Sequence, residues 1–174
     1  VLPDGTAVAV KVRRPHLRDR IEQDLRVLRT AAGLLAQAGP LGATLNPVAV
    51  IEDLANTLRA ELDFRVEAQT MADYAEVLAL LDPPTTCQVP TPIWGMVTER
   101  VLVMSFVDGT PIDDVEPLRE AGHDLEQLLR DGVRTWVGAA LEHGIFHGDV
   151  HAGNLFVTPA GELTFLDFGI AGRL

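Results

Sequence analysis

A chain of 174 residues, 47% of them hydrophobic, is long enough to bury a core and too apolar to stay disordered. Its Lys and Arg number 14 against 25 Asp and Glu, a net charge of −11 that argues against nucleic acid while leaving room for a nucleotide met by a local lysine and a metal ion. The single Cys87 excludes an internal disulfide, and no run of 18 apolar residues is present to span a bilayer as a helix.

The chain opens on a Pro3-Asp4-Gly5-Thr6 turn followed by Ala7-Val8-Ala9-Val10-Lys11-Val12, a strand pattern with the valines on one face and Ala9 and Lys11 on the other. A lysine there must enter a groove or reach water. Leu17 to Ala38 repeats its apolar residues at three or four, and Gly39-Pro40 ends that helix before a loop from Leu41 to Leu45. Asn46-Pro47 reads as the N-cap and first turn of the next helix, which runs on to Leu81 with a break near Leu62. Within it, Glu67 is the acidic residue expected to hold Lys11. Ile93–Val97 and Val101–Val107 read as two antiparallel strands joined by Thr98-Glu99-Arg100.

Asp113 to Ala121 is expected to be a short helix and Asp124 to Glu142 a long one, closed by Gly144. The apolar face of the long helix is wide enough to predict burial. Then comes Phe146-His147-Gly148-Asp149-Val150-His151-Ala152-Gly153-Asn154, a hairpin of Leu155–Val157 and Leu163–Leu166 about a polar turn, and Asp167-Phe168-Gly169. The hairpin should set Asn154 beside Asp167, two hard oxygen ligands suited to Mg²⁺. Asp149 lies one short loop away, placed to accept a proton or orient a nucleophile. A catalytic-loop Asp, a metal-binding Asn and a metal-binding Asp-Phe-Gly form the protein-kinase pattern, in which a strand lysine such as Lys11 meets phosphate. By position, Met104 would back the adenine pocket, with the Ser105 carbonyl and the Val107 amide reading the base.

Taken together, these stretches resemble the UbiB/ADCK family of atypical kinases. The resemblance covers essentially the whole chain and rests on Val8–Val12 with Arg14-Pro15, Glu61-Leu62-Asp63 with Glu67, Val101–Gly109, His147–Asn154 and Asp167-Phe168-Gly169. It implies an α+β, two-lobed protein-kinase-like fold, incomplete here, with residues 1–107 as an N-lobe carrying a helical insertion and 108–174 as the start of the C-lobe. It further implies ATP and Mg²⁺ as cofactors, unorthodox kinase or ATPase activity, and a role in ubiquinone-like quinone or lipid metabolism. Partners would be nucleotide and lipid or quinone precursors, or proteins of quinone biosynthesis. In that family a Lys-x-Gly-Gln segment packs against the Glu-x-Asp residues, here Glu61 and Asp63; it and an Ala-rich loop would precede Val1. Neither end reads as a domain boundary, so the chain is expected to be part of a longer protein, placed on the cytoplasmic side with membrane association left open. Two other readings stay open: a small-molecule phosphotransferase of the aminoglycoside or choline kinase type, and a non-catalytic nucleotide-binding scaffold.

Gly148 stands where many kinases carry the Arg of His-Arg-Asp, so gripping a phosphorylated loop through that guanidinium is not expected.

Overall fold

The computed structural model describes residues 1–37 and 44–173. Its elements are β1 (Val8–Val12), α1 (Leu17–Ala36), α2 (Pro47–Glu61), α3 (Phe64–Leu80), a 3₁₀ turn (Trp94–Met96), β2 (Val101–Ser105), β3 (Thr110–Pro111), α4 (Val115–Glu120), α5 (Leu125–His143), β4 (Ile145–His147), a second 3₁₀ turn (Ala152–Asn154), β5 (Leu155–Val157), β6 (Leu163–Phe165) and β7 (Ala171–Arg173). The α+β expectation holds. Packing divides the chain into Val1–Lys11 with Phe64–Leu174, and Val12–Asp63.

Among the described residues, the smaller unit is built on α1 and α2. Arg29 grips Glu52 at 2.6 and 3.0 Å, and Arg59 grips Glu22 at 2.7 and 3.0 Å, both bidentate. As the residue number rises on one helix it falls on the other, so α1 and α2 run antiparallel. The Arg13 guanidinium donates to the Leu62 carbonyl just past the end of α2, satisfying a carbonyl the helix leaves open. Asn46 stands at the N-cap of α2 as expected, but in a left-handed conformation (φ 44°) and with no capping bond from its side chain. The end at Gly39-Pro40 and the loop from Leu41 lie outside the described residues, apart from Thr44 and Leu45, which are helical.

The larger unit forms around α3. Phe64, Glu67, Ala68, Met71, Tyr74 and Leu78 recur at three or four residues, and all are buried. All but Glu67 join Leu102 of β2, Leu128 and Ala139 of α5, and Leu163 and Phe165 of β6 in one core. Three small sheets surround it: β1 with β2, β3-β5-β6, and β4 with β7. β5 and β6 pair antiparallel, Leu155 opposite Phe165 and Val157 opposite Leu163, as the hairpin pattern predicts. β4 and β7 pair antiparallel with His147 opposite Ala171.

Two expectations fail. Ile93–Val97 is not a strand. The chain is extended only to Ile93, whose N–H donates to the Val103 carbonyl at 2.8 Å, and Trp94-Gly95-Met96 then turns as 3₁₀ with Met96 N–H on the Ile93 carbonyl. Five residues with a central glycine are too few for period alone to separate a strand from a turn. Likewise β2 stops at Ser105, leaving Phe106 and Val107 outside it.

The second failure concerns α5. Only Leu128, Gly132, Thr135 and Ala139 are buried, on the face toward the core. Leu129, Val133, Val137 and Leu141 form a row four residues apart on another face, with Val133 59% and Leu141 77% exposed. They line an open groove of about 680 Å³. A wide apolar arc identifies a helix that can be covered on two sides; it does not say which side this chain covers.

Candidate nucleotide and metal site

The β5–β6 ladder continues one pair past its strands, with Leu166 N–H donating to the Asn154 carbonyl at 2.8 Å. Asn154 and Asp167 therefore emerge side by side at the open end of the hairpin. Asp167 has φ 56°, a left-handed conformation that Asp tolerates better than most residues. The Asn154 side chain is held from behind: its Nδ2 donates to the Asp149 carbonyl at 3.0 Å and to Asp149 Oδ2 at 3.3 Å. Both partners only accept, so the amide orientation is fixed, and Oδ1 is left available as a ligand.

His147 ties the two loops together. It is buried, its Nδ1 accepts from Asp149 N–H at 3.2 Å, and its Nε2 lies 2.9 Å from the Leu166 carbonyl. An amide N–H must donate, so the proton sits on Nε2 and points at Leu166. Burial pushes the His147 pKa down, against the opposing pull of that carbonyl and of Asp149 and Asp167. Phe168 meets the His147 ring edge-on at 4.7 Å and lies 5.3 Å from Tyr74 of α3, which fixes the backbone on either side of Asp167.

Lys11 reaches this place from β1. Its Nζ lies 2.8 and 3.0 Å from the two Glu67 oxygens and 2.8 Å from Asp167 Oδ1. Val10 and Val12 point outward, so the face bearing Lys11 is the inward one. The Phe64 ring stands 5.4 Å from the ammonium, within cation–π range. Burial works against the charged lysine, but bonds from Asp167 and then Glu67 outweigh it and lift its pKa. Asp167 is half exposed; burial is the largest single influence and raises its pKa, but the Lys11 bond and charge, the Gly169 N–H and the His147 ring together outweigh it and bring the balance below the ordinary value. The carboxylate of Glu67, only 6% exposed, is pushed up by burial despite Lys11. Both acids facing the one ammonium are desolvated, and only at the more buried Glu67 does that win.

These groups share a cleft of about 460 Å³ whose walls include Ala9, Lys11, Glu67, Met104, Ser105, Val107, Asn154 and Asp167. Asp149 lies behind Asn154 with its carboxylate partly exposed. Met104 and Ser105 come from β2, and Val107 follows it. Glu61 is the last residue of α2 and Asp63 precedes α3; both belong to the smaller unit. Pattern reading set His147 within the His147–Asn154 motif but gave it no role, and did not foresee the Lys11–Asp167 contact. Nor did it find the Asp73–Arg173 ion pair at 2.6 Å, which ties α3 to β7. The one available signal was a histidine two residues before Asp149.

Comparison with known proteins bears on this geometry. The model of the ABC1 atypical kinase-like domain matches residues 1–174. An uncharacterized protein of Mycobacterium tuberculosis is 41% identical over 173 residues, 99% of this chain and 35% of that one. A "Probable protein kinase UbiB" of Marinobacter nauticus is 36% identical over 177 residues, 99% of this chain and 32% of that one. The Arabidopsis thaliana chloroplastic protein ACTIVITY OF BC1 COMPLEX KINASE 1 is 34% identical over 165 residues, 95% of this chain and 24% of that one. Among solved structures, a Mycobacterium tuberculosis protein in complex with erythromycin superposes with a TM-score of 0.72 at 27% identity, over 99% of this chain and 42% of that one. The chain thus spans about a third of the length of the curated relatives it matches.

Proposed function

We infer from one premise, that this chain belongs to the ABC1 atypical kinase-like family and with it to the UbiB/ADCK group, that it carries the nucleotide site of an ATP- and Mg²⁺-dependent phosphotransferase or ATPase. The observation that carries the reading is the meeting of Lys11, Glu67, Asn154 and Asp167 in one cleft, from four separate stretches of chain. Coincidence in sequence spacing could produce the motifs; it would not make their side chains converge.

The donor set fits magnesium held jointly with a substrate. Among the described residues no group of three or more His, Cys, Asp or Glu could cage a metal. Asn154 Oδ1 and the Asp167 carboxylate offer two hard oxygens, and Mg²⁺ in such sites takes its remaining ligands from phosphate and water. Bound there, the ion would neutralise charge on the phosphoryl group being transferred. Lys11, oriented by Glu67, neutralises phosphate charge from the other side of the cleft. Asp149 orients the attacking oxygen of an acceptor or water and takes its proton, while the bond from the terminal phosphorus to its bridging oxygen breaks and ADP departs. His147 serves by holding Asp149 and Leu166 in register. Met104, Ser105 and Val107 border the adenine. In the whole protein this chemistry supports isoprenoid-quinone or lipid metabolism, in contact with quinone or lipid precursors or the proteins that handle them, as the family resemblance suggests. Among the described residues no helix is long and apolar enough to cross a membrane.

The test is a stopped assay of ATP hydrolysis and of transfer to candidate acceptors, with full-length protein and Asp149→Asn. Magnesium-dependent turnover lost in the variant supports the reading. Transfer to a small amine or alcohol would favour the small-molecule kinase alternative, and tight nucleotide binding without turnover the scaffold.

A further inference from the structure

An ammonium has three donor hydrogens. Those of Lys11 meet three carboxylate oxygens, two on Glu67 and one on Asp167, at 2.8, 3.0 and 2.8 Å. No donor remains for a phosphate. A nucleotide that engages Lys11 must therefore take one of these places. The two acids are not equally easy to dislodge. Glu67 is buried, with 6% of its side chain exposed, and grips with both oxygens; Asp167 is 48% exposed and contributes one. A carboxylate released beside water is resolvated, whereas one released in the interior is left uncompensated. Asp167 is the partner that yields.

Asp167 is also one of the two oxygen donors placed for a metal, and while Lys11 holds Oδ1 the ammonium stands as a competing cation. We propose that Lys11 couples the two ligands of the cleft: in the nucleotide-free protein its ammonium occupies Asp167 and holds divalent cations off, and a nucleotide phosphate, by replacing Asp167 on Lys11, opens that carboxylate to the metal. The coupling is reciprocal, so a metal on Asp167 equally frees a donor of Lys11 for phosphate. It adds to whatever chelation links metal and phosphate directly. This rests on the phosphotransfer reading for the identity of the nucleotide, but the competition between ammonium and metal is a property of three side chains alone.

The experiment measures Mn²⁺ binding to full-length, nucleotide-free protein by electron paramagnetic resonance. Lys11→Met should bind Mn²⁺ about tenfold more tightly than wild type, at the low end of ordinary coupling between sites. Because Lys11→Met leaves Glu67 buried without its counter-ion, Lys11→Met/Glu67→Gln provides a second variant with the same expected gain and no orphaned charge. Lys11→Met/Asp167→Asn should lose the gain. Variants that bind Mn²⁺ no better than wild type, or a gain that survives Asp167→Asn, would overturn the proposal. A fluorescent ATP analogue titrated into wild type with Mg²⁺ separates the two claims. Nucleotide binding without the Mn²⁺ gain sinks the coupling alone. Absence of nucleotide binding sinks the function, and the Mn²⁺ gain then still upholds the competition at Asp167.

Discussion

Gly148→Ala is a sharp test of how the loop before Asp149 is built. A Cβ placed on Gly148 would lie 2.9 Å from the Ile170 carbonyl oxygen and 2.9 Å from Ile170 Cγ2. The methyl can swing away, because the Ile170 side chain is half exposed. The carbonyl cannot. It accepts from Gly148 N–H at 2.6 Å, and the next pair along, His147 with Ala171, belongs to the β4–β7 ladder. Overpacking of this kind costs about 1–3 kcal/mol, and weakening the hydrogen bond adds about 1 kcal/mol. A total of about 2–4 kcal/mol lowers the midpoint on the order of 4–16 °C for a chain of this size. Both tryptophans, Trp94 and Trp136, belong to the unit that contains Gly148, so urea or thermal unfolding followed by tryptophan fluorescence reports on the right part of the chain. Gly95→Ala is the matched control: a Cβ there meets nothing within 4 Å and should change stability by less than about 0.5 kcal/mol. If Gly148→Ala is as harmless as Gly95→Ala, the close approach of Ile170 is not a constraint and the reasoning fails.

Burial depresses the His147 pKa, so the unfolded chain takes up this proton more readily than the folded one. Stability from the neutral ring is complete above about pH 6.5 and is lost as pH falls below it, by at most about 1.4 kcal/mol per pH unit; equilibrium unfolding across pH 5–7 should show a flatter profile for His147→Gln than for wild type. Phe168→Ala empties the space between Tyr74 and His147 and should cost about 3–5 kcal/mol in denaturant unfolding. Asp124 accepts from Gln127 N–H at 3.0 Å as the N-cap of α5, so Asp124→Ala should cost about 1 kcal/mol in the same assay, and Asp124→Asn much less.

Much of the arrangement was legible because local chemistry and tertiary contact agree. The β5–β6 pattern contains its own turn, with Gly161 at φ 82°, and a hairpin so defined must bring Asn154 to Asp167. Glu67 lies in the apolar repeat of α3, so its side chain faces the core and meets the inward face of β1; that placement follows from helical period. What stayed hidden depends on partners that pattern does not encode. The row on α5 is as apolar as the buried face beside it, and only the packing of α3 and β6 decides which face is covered. The Lys11–Asp167 bond joins residues 156 apart and depends on side-chain reach within the folded cleft.

The way the smaller unit is threaded into the chain has a further consequence. Residues 12–63 leave the larger unit at Lys11 and re-enter it at Phe64, whose ring lies 5.4 Å from the Lys11 ammonium. A segment whose entry and exit residues meet through their side chains is an insertion that can be shortened or exchanged, since the entropy of closing a loop in its place grows only slowly with the length of that loop. The helix pair is thus a graft on the scaffold, able to lengthen, shrink or diverge in evolution without redrawing the core; the one place where such drift would be felt is its root, beside the lysine on which the proposed chemistry turns.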